Sequence, residues 1–365
     1  MKNDFLSLNN VSFDHVITSQ DILRIEDFKK DIFETPFKKN AKWIHALVGE
    51  PILDAVGFMP HRFIYGDEGG KESLRWNIYS NLRMPFCTNS WAKLYAYNKD
   101  AYNILEYNIV RCFKDALVLS FEMPESILDI FTKNNIAYID FSNHPIRFLP
   151  DYMLGIRTNV KEWYDRIKEN SIDEEIVYEF ARITRAKAVR IDVFNKIKEC
   201  SVLFLGQMPI DSSLIYEGQI ATEELVKEEI LKAATQYHNV MYKPHPHNKN
   251  AGEIVKFCSS INVDIADYNI YDCFGSGKFA KIIGLSSGGI YESKYFNIDN
   301  ERLLKKKYYF EDRDDESLFY IPVYESFVRK DFWQYIVNGN LLFEKKVINP
   351  YEGAMKFSLQ MKWGR

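Results

Sequence analysis

Three short apolar runs, Ser201–Leu205 (SVLFL), Val240–Lys243 (VMYK) and Lys281–Leu285 (KIIGL), each end in a loop that cannot continue a strand, and helical stretches separate them. Few folds accommodate that alternation. Buried strands with helical crossovers form a parallel sheet covered by helices. The crossover at Thr222–Tyr237 carries Glu223 and Glu224 in its first turn, where the helix dipole favours acids. Ala251–Ser259 reads as a helix, Asn262–Ala266 as a strand, and another helix opens near Ile290. The second half is therefore expected to be a doubly wound α/β domain.

The first half repeats the theme more weakly. Ala116–Phe121 (ALVLSF) and Ile136–Phe141 (IAYIDF) read as strands around a helix at Glu125–Thr132. Residues 161–199 have helical spacing without Pro or Gly and predict two helices bridging the halves. A chain of 365 residues exceeds one ordinary core. The expected division is 1–195, an acceptor-side α/β domain, and 196–330, a nucleotide-binding domain. An aromatic, amphipathic segment, 331–365, is expected to cross back to the first.

The formal net charge of −4 argues against nucleic acid as a partner. Lys305-Lys306-Lys307 reads as a solvated face rather than a lipid contact. No run reaches the roughly 18 apolar residues of a membrane span, and the first residues lack the apolar core of a signal peptide. The five cysteines are odd in number and lack a CxxC, as expected of reduced thiols in a cytoplasmic protein.

In open α/β sheets ligands bind beyond the carboxyl ends of the strands, so the three post-strand loops should converge. The first, Gly206 to Ser213, contains Gln207 and Asp211; Asp211 suits a nucleophile, a base or a turn-forming cap. The second, Lys243-Pro244-His245-Pro246-His247, offers Lys243 and His245 to a phosphate. His245 and His247 also suit a metal, but no further His or Cys cluster accompanies them. The third, Ser286-Ser287-Gly288-Gly289, runs from a strand into a helix with small residues that let backbone N–H groups approach an anion. Glu292 follows one turn later, within reach of a ribose. Gly275-Ser276-Gly277-Lys278 lacks the upstream glycine of a phosphate loop and reads as an ordinary loop. In the first half Glu122 and Asp140 follow or end strands as candidate acid/base groups, and His144 and Arg147 suit an anionic sugar.

The order Gln-x-x-x-Asp-Ser (Gln207 to Ser212), Lys-Pro-His-Pro (Lys243 to Pro246) and Ser-Ser-Gly (Ser286 to Gly288) resembles bacterial β-Kdo transferases of capsule and lipopolysaccharide assembly. The second and third elements are also similar to those of bacterial sialyltransferases. The resemblance implies a GT-B-like fold, two Rossmann-like domains facing a central crevice, and CMP-Kdo as donor without a metal or other cofactor. It implies an oligosaccharide or glycolipid acceptor, and peripheral contact with the inner face of the cytoplasmic membrane. By the same resemblance Lys243, His245, Ser286 and Ser287 contact the CMP phosphate, Glu292 lies near the ribose, and Asp211 forms a covalent sugar adduct. Glu122 or Asp140 then serves as acid/base. Three other readings stay open: an inverting sialyltransferase-like enzyme, a metal-dependent phosphoesterase built on His245 and His247, and a non-catalytic nucleotide-binding partner of an assembly complex.

Overall fold

The computed structural model describes residues 5–25, 36–63, 74–96, 101–188, 197–248, 251–311, 318–340 and 343–351. The strands of the first unit are β1 (His15–Thr18), β2 (His61–Arg62), β3 (Ala116–Phe121), β4 (Tyr138–Asn143) and β5 (Met153–Thr158). Those of the second are β6 (Ser201–Leu205), β7 (Ile215–Tyr216), β8 (Gln219–Ile220), β9 (Val240–Lys243), β10 (Asp264–Ile265), β11 (Phe279–Gly284) and β12 (Asp299–Arg302). A last strand, β13 (Ile321–Tyr324), returns to the first.

The first sheet runs β13-β5-β4-β3-β1-β2. Its strands are parallel except β5, which is antiparallel to both β4 and β13. The second sheet, β10-β9-β6-β11-β12, is wholly parallel. Two α/β units are thus present, the fold class expected. All six residues of β3 and all five of β6 are buried, which is why each reads as an unbroken apolar run rather than an alternation. The strand expected at 136–141 is shifted by two residues to β4, and β11 begins two residues earlier than expected.

Helices cover both faces of the first sheet. Ile44, Val48 and Ile52 of helix Pro36–Val56 pack on one face with Trp163, Phe332 and Trp333. Ile78, Trp91, Ile109 and Phe131 pack on the other. The units exchange elements. Helix Glu174–Ala188 places Val177, Phe180 and Ala181 against Leu203, Phe274 and Ile282 of the second unit. In return, β13 and helix Lys330–Asn338 join the first, where Trp163 Nε1 donates to the Val337 carbonyl at 3.2 Å. Helix Glu174–Ala188 and β13 thus pack across the expected boundaries, and helix Lys330–Asn338 lies on the first unit, as expected of the segment after 330. Each amphipathic helix settles where its apolar stripe is covered, regardless of its place in the chain. No described helix is long and apolar enough to cross a membrane.

Candidate active site between the two sheets

The loops beyond the carboxyl ends of β1, β3 and β4 face those beyond β6 and β11. Two hydrogen bonds tie them across the gap. Arg24 Nη2 donates to the Ile210 carbonyl at 3.1 Å, and the Arg147 N–H donates to Glu292 Oε1 at 2.6 Å.

Asp211 lies half-buried on the loop after β6, where Oδ1 accepts from the Ser213 N–H at 2.8 Å and caps a short 3-10 turn, Ser212–Leu214. Lys306 stands behind this turn, its ammonium donating to the carbonyls of Ser212 at 2.9 Å and Ile215 at 3.1 Å. Burial pulls the Lys306 ammonium down to about 8, against the opposing pull of Asp211. The expectation of a solvated basic face therefore fails for this residue: Lys306 points inward, while the side chain of Lys305 is 71% exposed.

Glu122 approaches from the first unit. It follows β3 in a left-handed conformation (φ 52°), which turns the carboxyl out of the sheet and into the crevice. Ser142 Oγ donates to its Oε1 at 3.1 Å. Burial first, and the Asp211 charge second, push its carboxyl up to about 7; Arg24 and the Ser142 hydroxyl oppose them. Asp140 lies in a different setting. It is fully buried, and its register partner on β5 is Arg157, whose Nε donates to Oδ2 at 3.0 Å. Ser120 Oγ at 2.7 Å, the Met123 N–H at 3.2 Å and Tyr320 Oη at 2.6 Å also donate to Asp140. Arg157 further pairs with Glu125. Asp140 is thus committed to a buried ion-pair network and does not reach the crevice.

Gln207 joins the first loop to the third. Its Nε2 donates to Ser213 Oγ at 3.1 Å and Ser286 Oγ at 2.9 Å, and its Oε1 accepts from the Ser286 N–H at 2.7 Å. Ser286 is buried, whereas Ser287 and Gly288 are half-buried at the start of helix Gly288–Glu292. Small residues are required here. A Cβ on Gly289 would lie 2.7 Å from Ile270 Cδ1 and 2.8 Å from Leu205 Cδ1, and one on Gly288 would press on Pro145 at 3.3 Å.

The other anticipated residues divide. His245 is half-buried with its ring 5.7 Å from that of the exposed His247, and burial, then His247, holds its imidazole below the usual range. Lys243 donates to the Tyr268 carbonyl. Among the described residues no group of three or more His, Cys, Asp or Glu is arranged to hold a metal. Glu292, expected beside a ribose, is buried and accepts from the Arg147 N–H and from Tyr271 Oη at 3.1 Å, so it fastens the units together. Burial pushes its carboxyl up to about 7. The Arg147 side chain is exposed, its guanidinium 5.8 Å from the Tyr152 ring centroid. His144 is buried and depressed to about 3 by burial, with Arg147 and Lys294 adding to the effect, so it is neutral and cannot pair with an anionic sugar as a cation.

Arg24 escapes any reading of the sequence. It follows β1, a four-residue strand too short to stand out, and becomes informative only once the second unit supplies Ile210.

Neither a protein-family model nor a curated protein matches the chain. Solved structures similar to it include the β-Kdo 2,7 transferase of KpsC from Thermosulfurimonas dismutans, 13% identical, with a TM-score of 0.40 over 95% of this chain and 99% of that one. The β-Kdo 2,4 transferase of the same KpsC is 13% identical, with a TM-score of 0.37 over 71% of this chain and 76% of that one. UDP-GlcNAc 2-epimerase from Neisseria meningitidis, bound to UDP-GlcNAc, is 12% identical, with a TM-score of 0.28 over 96% of this chain and 100% of that one.

Proposed function

We propose that the chain is a glycosyltransferase that moves Kdo from CMP-Kdo to a saccharide acceptor of a bacterial surface polysaccharide, with retention of configuration. The observation that carries this reading is a pair of carboxylates from different units, Asp211 and Glu122, near enough for the Asp211 charge to raise Glu122, with Gln207 tying the Asp211 turn to Ser286. Asp211 attacks the anomeric carbon as CMP leaves, forming a C–O bond to the sugar while the C–O bond to the phosphate breaks with its electron pair. The departing phosphate is received by Ser287, by the backbone N–H groups of Ser287 and Gly288, and by His245, whose imidazole gains a proton more readily beside an anion. Lys243 supports the same end of the site. Glu122, balanced near neutrality, then takes the proton of the acceptor hydroxyl as that oxygen displaces Asp211. Arg24, which holds the Ile210 carbonyl next to Asp211 and whose charge acts on Glu122, suits the sugar's own carboxylate. The identities of the base and sugar rest on the motif resemblance.

Intact-protein mass spectrometry after incubation with CMP-Kdo tests the mechanism. An adduct of one Kdo on the wild-type chain, absent from Asp211→Ala, is expected; an adduct persisting in Asp211→Ala overturns the assignment. One feature favours an inverting alternative. Asp211 Oδ1 is already engaged by the Ser213 N–H, and a site using Glu122 alone as base would transfer sugar without any adduct.

A further inference from the structure

Beside helix Gly288–Glu292 the chain forms a half-open cavity of about 560 Å³ that the chemistry above does not use. Its lining includes His144, Ser171, Tyr291, Lys294, Phe310 and Tyr320. Phe310 stacks on Tyr320, ring centroids 5.1 Å apart and 21° from parallel, and the Arg157 guanidinium lies 4.2 Å from the Tyr320 ring centroid. His144 meets Phe310 and Tyr291 edge to face at 5.2 and 5.7 Å.

His144 is 1% exposed, and its Nδ1 accepts from the Ile146 N–H at 3.3 Å. That bond assigns the ring proton to Nε2. Among the described residues the Nε2–H has no partner, and the ring lines the cavity. Elsewhere in the lining, Lys294 lies 4.4 Å from the Tyr291 ring centroid and pairs with Glu174 at 3.3 Å.

Aromatic rings, the His144 donor and two lysines, Lys168 and Lys294, balanced by Glu174 and Glu311 select a particular chemistry. A wholly apolar ligand would leave the His144 N–H buried and unpaired, at a cost of about 1–3 kcal/mol. The lining offers a phosphate no net positive charge, since Lys168 and Lys294 are matched by Glu174 and Glu311. A sugar ring meets both demands: its C–H groups pack against Phe310 and Tyr291, and its hydroxyls accept from His144 and exchange hydrogen bonds with Lys294 and Glu174. The volume is ordinary for a small-ligand site. Ser287 and Tyr291 are four residues apart, about 6 Å of helical rise, so such a sugar would sit close to the phosphate loop.

We propose that this cavity binds a neutral sugar unit of the saccharide acceptor. Saccharide binding follows from the cavity itself; its assignment to the acceptor rests on the transferase reading. The full chain is tested against a printed array of defined neutral oligosaccharides, and separately against CMP by thermal shift. Binding to array members is expected, falling at least tenfold in Ser171→Trp, which fills the cavity from a half-buried loop residue while preserving the CMP shift. His144→Phe keeps a ring but removes the N–H, and should weaken saccharide binding about tenfold. The proposal is overturned if the wild type binds no array member, if Ser171→Trp binds as the wild type does, or if Ser171→Trp abolishes the CMP shift, which would make the cavity a nucleoside site. A wild type that binds saccharide but gives no CMP shift supports the cavity while refuting its CMP-dependent role.

Discussion

Gln207 grips Ser286 with both ends of its amide, Nε2 lying 2.9 Å from Ser286 Oγ and Oε1 accepting from the Ser286 N–H at 2.7 Å. The loop after β6 and the loop after β11 are thereby held at one spacing. Gln207→Ala leaves the Ser286 N–H without its partner and should lower stability by about 1–3 kcal/mol and weaken CMP binding. Gln207→Glu keeps an acceptor but places charge beside the phosphate loop. It should preserve more stability than alanine and bind CMP less well. Urea titration and calorimetric titration with CMP separate the two effects; equal CMP affinity in both variants would place the phosphate elsewhere.

Glu122 should govern the pH profile of transfer. A leaving phosphate needs no proton from the protein, whereas the acceptor hydroxyl must lose one, so the ionised carboxylate is the active form. With its carboxyl pushed up to about 7, transfer should fall about tenfold per pH unit on the acid side and level off above that value. Glu122→Gln should reduce kcat by about 10²–10⁴-fold and abolish the inflection. Steady-state rates from pH 5 to 9 supply the check, and an unchanged profile in the variant would move the base to another residue.

Asp140 provides a contrasting case. Asp140→Ala removes one of the two carboxylates that pair the buried Arg157 guanidinium, leaving Glu125, and should cost about 3 kcal/mol, seen as a lowered urea midpoint. Protein that remains folded should keep the inflection near pH 7, because Glu122 is intact. Loss of that inflection with stability unchanged would return the acid/base role to Asp140.

Glu292 couples stability to pH. Its folded value of about 7 lies above the ordinary 4.5, so the folded state holds a proton that the unfolded chain releases. The stability contribution is complete below pH 4.5 and is lost as pH rises through 7, about 3 kcal/mol across the interval. Glu292→Gln retains an acceptor for the Arg147 N–H and removes the titration. Urea midpoints measured from pH 4.5 to 8 should decline less in this variant; parallel declines would show that burial of Glu292 is not the cause.

Lys306 should matter where its neighbours do not. Lys306→Met removes the donor to the Ser212 and Ile215 carbonyls that frame Asp211, and should slow transfer about 10–100-fold through misplacement of that carboxylate. Lys305→Met should stay within about twofold, since an exposed lysine has little to lose. Similar rates for both variants would show that the Asp211 turn does not need this support.

The strands with the longest buried runs were legible in the chain. Ser201–Leu205 and Ala116–Phe121 are apolar throughout because both faces of each strand are covered, and the loops after β6, β9 and β11 announce themselves by Gly, Pro and Ser. β1, β5 and β13 were not foreseen. The four residues of β1 and the mixed composition of β5 carry little local signal, and β13 pairs with β5 from far along the chain, Ile321 opposite Ile156 and Tyr324 opposite Met153.

The amino-acid sequence by itself determined two α/β units and the small, polar loops that end their strands, because apolar runs and turn residues act locally. Tertiary structure alone decided which candidate groups could meet a substrate. Glu122 and Asp140 are both carboxylates at a strand end in the sequence, yet a left-handed residue turns one into the crevice while cross-strand register gives the other to Arg157. Lys305, Lys306 and Lys307 are equivalent in composition, but the fold sets the middle ammonium on the carbonyls of Ser212 and Ile215 around Asp211. Burial and charge partners come from distant parts of the chain, and these set what an ionisable side chain does.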